Sequence, residues 1–239
     1  MSMYPQSDVA KQRLGYATDD RAVFNFFNTV YAWMCAGLAL TAVVAWLVSR
    51  SPAMMSFLYG SRAMILVFAL GAFAIAWFVQ SAAARISATA ATGLFLLYAA
   101  VIGALISYIF LVYESGTILA AFLLTGGTFG AMSVYGFVTK RDLTGIGSFL
   151  VMGAIGLFIA SLVNVFIASN ALSWVITYAV LGVFIGITAY ETQRLRNMAE
   201  QHAGNADLSG RLAIVGALVL YIAFINIFLS ILRILGNRR

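Results

Sequence analysis

The sequence predicts an all-α, polytopic membrane protein with seven transmembrane helices. Residues of the set AVILMFWYC make up 63% of the 239 positions and only 9% are charged, where soluble domains hold roughly 45–50% apolar and ~25% charged residues. The apolar residues fall into seven runs, each long enough to cross a hydrocarbon layer of about 30 Å as a helix. Loops between the runs are too short for a second folded unit, so residues 26–239 read as one transmembrane domain behind a polar arm, 1–25.

In that arm, Asp8, Lys11, Arg13, Asp19, Asp20 and Arg21 precede any apolar run. This is not the pattern of a cleavable signal, so the first span is expected to direct insertion itself. That span covers 26–48 and is stopped by Arg50, Ser51 and Pro52. A loop of mixed character, 53–61, leads to a short second span, 63–79, between Arg62 and Arg85. The third span, 86–112, is long enough to be tilted, and a turn at 113–116 joins it to the fourth, 118–138, as an antiparallel neighbour. The compact charge cluster TKRDLT, 139–144, precedes the fifth span, 146–168; Ser169 and Asn170 then turn the chain into the sixth, 171–190. A hydrophilic loop, 191–211, leads to the seventh span, 212–235, which contains no charge from Leu212 to Leu232 and is read as a full crossing, the alternative being a re-entrant segment that returns the C-terminal arginines to the inner side.

Seven crossings put the termini on opposite sides. With the N-terminus cytoplasmic, nine of the 14 Lys and Arg lie on the inner side and five on the outer, three of those five at the C-terminus. That orientation follows the positive-inside rule. The net charge of +6 does not indicate nucleic acid, because the cations are scattered over nearly every loop without a basic stripe or stacking motif. Cys35 is alone and cannot close an intramolecular disulfide or a cysteine metal site. The single histidine, His202, lies in the polar stretch after the sixth span. Intramembrane proteolysis therefore lacks its parts, as do ATP-driven transport and haem redox chemistry: the chain holds no Walker motif, no dinucleotide fingerprint and no histidine pair. The expectation is a protein that is not an enzyme, needs no cofactor and has no certain metal site.

The polar groups left in or beside the membrane are Glu191, Asn164, Asn226, Glu114, Arg85 and several hydroxyls. Glu191 stands out, since a carboxylate flush against a span is held only where a partner or water compensates its lost hydration. It either serves function or caps the span at the interface. This inventory suits a channel, leak or carrier, with calcium ions or protons as cargo. Gly126 with Gly130, Gly182 with Gly186, Gly153 with Gly156, and Gly93 with Gly103 are read as points of close helix packing.

The run VYGFVTKRDLTGIGSF from Val134, ITAYETQRL at 187–195 and LYIAFINIFLSILRILGNRR at 220–239 resemble the Bax inhibitor-1 family (transmembrane Bax-inhibitor-motif proteins) in its bacterial form. The resemblance implies six helices wrapped around a central seventh, in the inner (plasma) membrane. It also implies a pH-sensitive calcium leak, linked in eukaryotic relatives to protection from cell death. The sensor it implies is a pair of acids. The first falls on Glu191 in Tyr190-Glu191-Thr192-Gln193; the second, the Asp of a LYLDFIN motif, falls on Ala223 in LYIAFIN.

Half of the pair is therefore missing. Two close carboxylates hold a proton between them near neutral pH because both cannot ionise cheaply, and a lone Glu191 lacks that coupling. Its protonation is left to burial and to an arginine, with Arg85 the candidate latch and Arg194 or Arg196 duller ones. For calcium, Glu191 with the amide oxygens of Asn226 or Asn164 is a thin donor set. Weaker calcium binding and an altered pH response are expected, with Ala223→Asp restoring binding. The alternative is a non-conducting scaffold that binds other membrane proteins, membrane proteases among them, by the same resemblance. A secondary carrier would show an internal repeat or paired broken helices, and neither is evident.

Overall fold

The computed structural model describes residues 6–81, 87–202 and 206–236. Among these, the chain is helical almost throughout: α1 (Gln6–Ser49), α2 (Pro52–Tyr59), α3 (Arg62–Ser81), α4 (Ala88–Ile106), α5 (Ile109–Val112), α6 (Ser115–Val138), α7 (Thr144–Ile167), α8 (Asn170–Gln201) and α9 (Ala206–Leu235). Seven segments are long and apolar enough to cross a membrane, α4 and α5 counting together as one. The chain is an integral membrane protein of the all-α class.

α9 is the core of the bundle. Two thirds of its most apolar window, 67%, is buried, and α1, α3, α4, α6 and α8 all pack against it. Leu218, Leu220, Tyr221, Ala223 and Ile227 are fully buried on it. α7 is the exception to the expected wrapping: it packs on the outside of α8 and no residue of its apolar window is buried.

Three boundaries differ from the sequence reading, each for a local reason. The stretch 53–61, expected as a loop, holds α2, which starts where the Ser51 hydroxyl accepts the Met54 amide at 3.4 Å and Pro52 occupies the first turn. The third span, expected to be continuous, breaks after Ile106. The hydroxyl of Tyr59 lies 2.7 Å from the Leu105 carbonyl and 3.2 Å from that of Ala104, adding a donor at the break, where the Ala104 carbonyl also accepts the Ser107 amide at 3.3 Å. The hydrophilic stretch 191–211, expected as a loop, is helical through Gln201, and α9 begins at Ala206. Glu191 thus sits inside a helix, with about three further turns after it.

Of the glycines expected to mark close packing, Gly103 and Gly186 do so, while others that do, such as Gly136, fall outside the expected pairs. Gly126, Gly130, Gly182, Gly156 and Gly93 meet nothing within 4 Å, so one expected pair is open at both members and the other three at one. Close approach occurs at Gly103, where a methyl group would stand 2.7 Å from the Thr41 carbonyl oxygen, at Gly186, where it would stand 2.6 Å from the Leu150 side chain, and at Gly136, where it would meet the Ala189 backbone. One buried polar junction ties three helices together. The Tyr221 hydroxyl on α9 is 2.6 Å from the Thr41 hydroxyl on α1, which also lies 3.0 Å from the Ala99 carbonyl of α4. Two protons serve this junction, so Tyr221 can donate to Thr41 while Thr41 donates onward to a carbonyl.

Candidate functional site

The site is the C-terminal third of α8, where the helix leaves the apolar layer and continues as a polar rod. Gly136 of α6 lets the α8 backbone approach at Ala189, and Gly147 of α7 lies under the Tyr190 ring. Thr188 and Thr192 are fully buried, and their hydroxyls donate to the Phe184 and Thr188 carbonyls of their own helix. With those protons committed, Glu191 receives nothing from either neighbour. The residue is 5% exposed, and Nη1 of Arg194 donates to both of its carboxylate oxygens at 3.3 Å. The Arg194 side chain is 47% exposed, so the pair joins a buried anion to a cation at the water boundary, one turn along the same helix.

Two further side chains fix this end of α8 to its surroundings. The Gln193 carbonyl oxygen accepts the Leu143 amide at 2.9 Å, and its amide group donates to the Arg141 carbonyl at 2.8 Å and more weakly to that of Thr139 at 3.5 Å. The 139–143 turn is held by this one side chain. Arg196 donates from Nη1 to the Phe137 carbonyl at 2.6 Å and from Nε to Glu200 at 2.8 Å, with its guanidinium over the Phe137 ring. The sequence reading quoted Gln193 within its motif but gave it no role, because it ended the helix at Tyr190. A helix continued for one more turn would have placed Gln193 and Arg196 on a structured surface.

The other sequence candidates lie elsewhere. Ala223 is fully buried on α9. Leu195 of α8 packs over Gly216 of α9, and this contact sets the register: Ala223 lies about 5 Å deeper in the bundle than Glu191, and Asn226 about 9 Å deeper. The Asn226 amide nitrogen donates to the Ile222 carbonyl at 2.8 Å on its own helix. Asn164 must be removed from the Glu191 neighbourhood. Its side-chain oxygen accepts the Ser169 amide at 3.1 Å, bracing the turn at Ala168, whose φ of 55° is left-handed. That turn is at the other end of α8, roughly 30 Å from Glu191. Arg85, the candidate latch, lies outside the described residues; among these, Arg194 holds that place. No three His, Cys, Asp or Glu side chains converge among the described residues, and a Glu191 site would offer a cation one carboxylate with backbone oxygens.

The family described as inhibitor of apoptosis-promoting Bax1 matches residues 23–239. This chain belongs to the Bax inhibitor-1 family. A relative named inner membrane protein YbhL, from Escherichia coli, is 43% identical over 242 residues, covering 100% of both chains. An uncharacterised protein of Deinococcus radiodurans is 41% identical over 91% of this chain and 92% of its own, and one of Borreliella burgdorferi 39% identical over 90% and 92%. As a Bax inhibitor-1 chain it carries an alanine at the place where the family resemblance expects a second acid, and packing has closed around that alanine.

Proposed function

We propose that this chain is a regulated cation leak, passing calcium or protons along a path that α9 closes and the Glu191–Arg194 pair gates. In this reading it sits in a bacterial inner membrane with its N-terminus cytoplasmic and catalyses no reaction. The observation that supports it is Glu191 itself, a 5% exposed carboxylate whose ion-pair partner stands half in water on the same helix. While Glu191 is ionised, Arg194 is held beside it; when Glu191 is neutral that attraction is gone and the end of α8 is free to shift. A group of this kind responds to protons without a second acid, though its donor set for calcium remains thin.

The test is calcium flux into dye-loaded proteoliposomes between about pH 6 and 8. The wild type is expected to leak more as pH falls, and Glu191→Gln, which mimics the neutral form, to lose that pH dependence. Ala223→Asp, which adds a second carboxylate about a turn deeper, is expected to bind calcium more tightly. An unchanged pH profile in Glu191→Gln would sink the gate. The closed apolar packing at Ala223 favours a second reading, a non-conducting scaffold for other membrane proteins such as membrane proteases. A scaffold passes no ion at any pH and co-purifies with its partner.

A further inference from the structure

The fold brings together charges that lie about fifty residues apart in the chain. Lys140 and Arg141 occupy the turn between α6 and α7, and Arg194 and Arg196 project from the continuation of α8 beside it. Gln193 bonds the turn to α8 through the Leu143 amide and the Arg141 carbonyl, and Arg196 bonds the end of α6 through the Phe137 carbonyl. A groove between turn and helix is lined by Lys140, Arg141, Asp142, Gln193, Arg196 and Glu200.

The four cations are not equivalent. Arg194 is paired with Glu191 and Arg196 with Glu200, whereas Lys140 and Arg141 are exposed and have no carboxylate partner among the described residues. Asp142, the acid nearest to them in the chain, has one oxygen taken by the Thr144 amide at 2.9 Å and the Thr144 hydroxyl at 2.6 Å. A topology signal alone needs no fixed geometry. Here the two unpaired cations are carried on a backbone bonded on one side to a neighbouring helix.

The height of the turn selects the ligand. It joins two membrane-crossing helices, so it lies at the level of lipid headgroups, and the residues on either side of it are apolar and open: Val134 and Val138 on α6, each 64% exposed, and Ile146 and Phe149 on α7, at 59% and 68%. α6 and α7 each pack chiefly on α8 rather than on one another, which leaves their outer faces to acyl chains. We propose that Lys140 and Arg141 bind the phosphate of an anionic phospholipid, with the lipid chains lying along α6 and α7. A phosphate diester is recognised at such a place by cations fixed at the interface, and each Lys or Arg near an anionic surface contributes about 1 kcal/mol.

The test compares retention of phosphatidylglycerol and phosphatidylcholine of matched chain length on the purified full-length protein, read by native mass spectrometry and by the shift in thermal melting. The wild type is expected to prefer phosphatidylglycerol. Lys140→Gln/Arg141→Gln is expected to lose more than tenfold of that preference, from about fivefold per cation. Arg50→Gln/Arg62→Gln removes the same charge from the opposite side of the membrane and is expected to leave it intact. Gln193→Ala, which changes no charge, is expected to weaken the preference because it frees the turn. Equal losses from the two charge pairs would overturn the site in favour of bulk charge. Displacement of phosphatidylglycerol by millimolar inorganic phosphate would overturn the lipid in favour of a soluble anion.

Discussion

α7 and α9 are two apolar membrane helices of nearly equal hydropathy and opposite placement: none of the apolar window of α7 is buried, against 67% of that of α9. Hydropathy places a helix in the bilayer but does not say which neighbours it will have, because lipid and protein interior are equally apolar surroundings. What separates the two is where small residues meet a neighbour. α9 buries Ala213, Gly216, Ala217 and Ala223 against the surrounding helices, with Leu195 filling the space over Gly216. On α7 the close approach is confined to Gly147 under the Tyr190 ring at its start, and Gly145 and Gly156 meet nothing within 4 Å.

The contrast is broken most sharply at glycines. Gly136→Leu drives a side chain into the Ala189 backbone and is expected to cost about 3 kcal/mol or more, through overpacking that a helix backbone cannot relieve. Gly156→Leu on the open side of α7 is expected to change stability by about 0.5 kcal/mol or less. Thermal melting in detergent checks both, and equal losses would mean that α7 is packed rather than free. The junction of Thr41 with Tyr221 tests α9 at finer scale. Thr41→Val keeps the shape but leaves the Tyr221 hydroxyl without its acceptor and is expected to cost about 1 kcal/mol, the size of an interhelical hydrogen bond in a membrane. Tyr221→Phe should cost no more, and combining the two should add little to either alone.

The smallest effect belongs to the polar face. The Thr144 hydroxyl and then its amide hold the Asp142 carboxyl below the usual carboxylate range. A carboxylate with a lowered value stabilises the fold above its ordinary titration range, and that contribution is lost as pH falls through the lowered value. Asp142→Asn is therefore expected to lower the melting temperature slightly at neutral pH and to make no difference in acid. Because Asp142 is fully exposed, solvent screening keeps the difference small. Melting curves at several pH values check it.

These comparisons also show what a sequence of this kind discloses. The seven crossings were legible because apolar runs and charged breaks are written directly in it, and Glu191 was legible because a carboxylate beside an apolar run is rare. The continuation of α8 to Gln201 was not, since its polar residues read equally well as loop, and with it the roles of Gln193 and Arg196 disappeared. Arg194 was named but ranked below Arg85, because nothing in a linear spacing says which arginine a buried carboxylate will face. Glycine spacing held at Gly103 and Gly186 but misled on α6 for a related reason: Gly126 and Gly130 lie on one face of it, yet among its glycines the face packed on α8 is marked by Gly136 alone. Asn164 was grouped with Glu191 by polarity, and only the fold reveals that it braces the turn at the far end of α8.

The claim that the Glu191–Arg194 pair gates the protein is tested most directly by a double-mutant cycle on calcium flux at one pH, with Glu191→Gln, Arg194→Gln and the two combined. If the pair acts as a unit, each single change raises the leak and the double change adds little beyond either. Independent, additive effects, or a leak that none of the three alters, would contradict it.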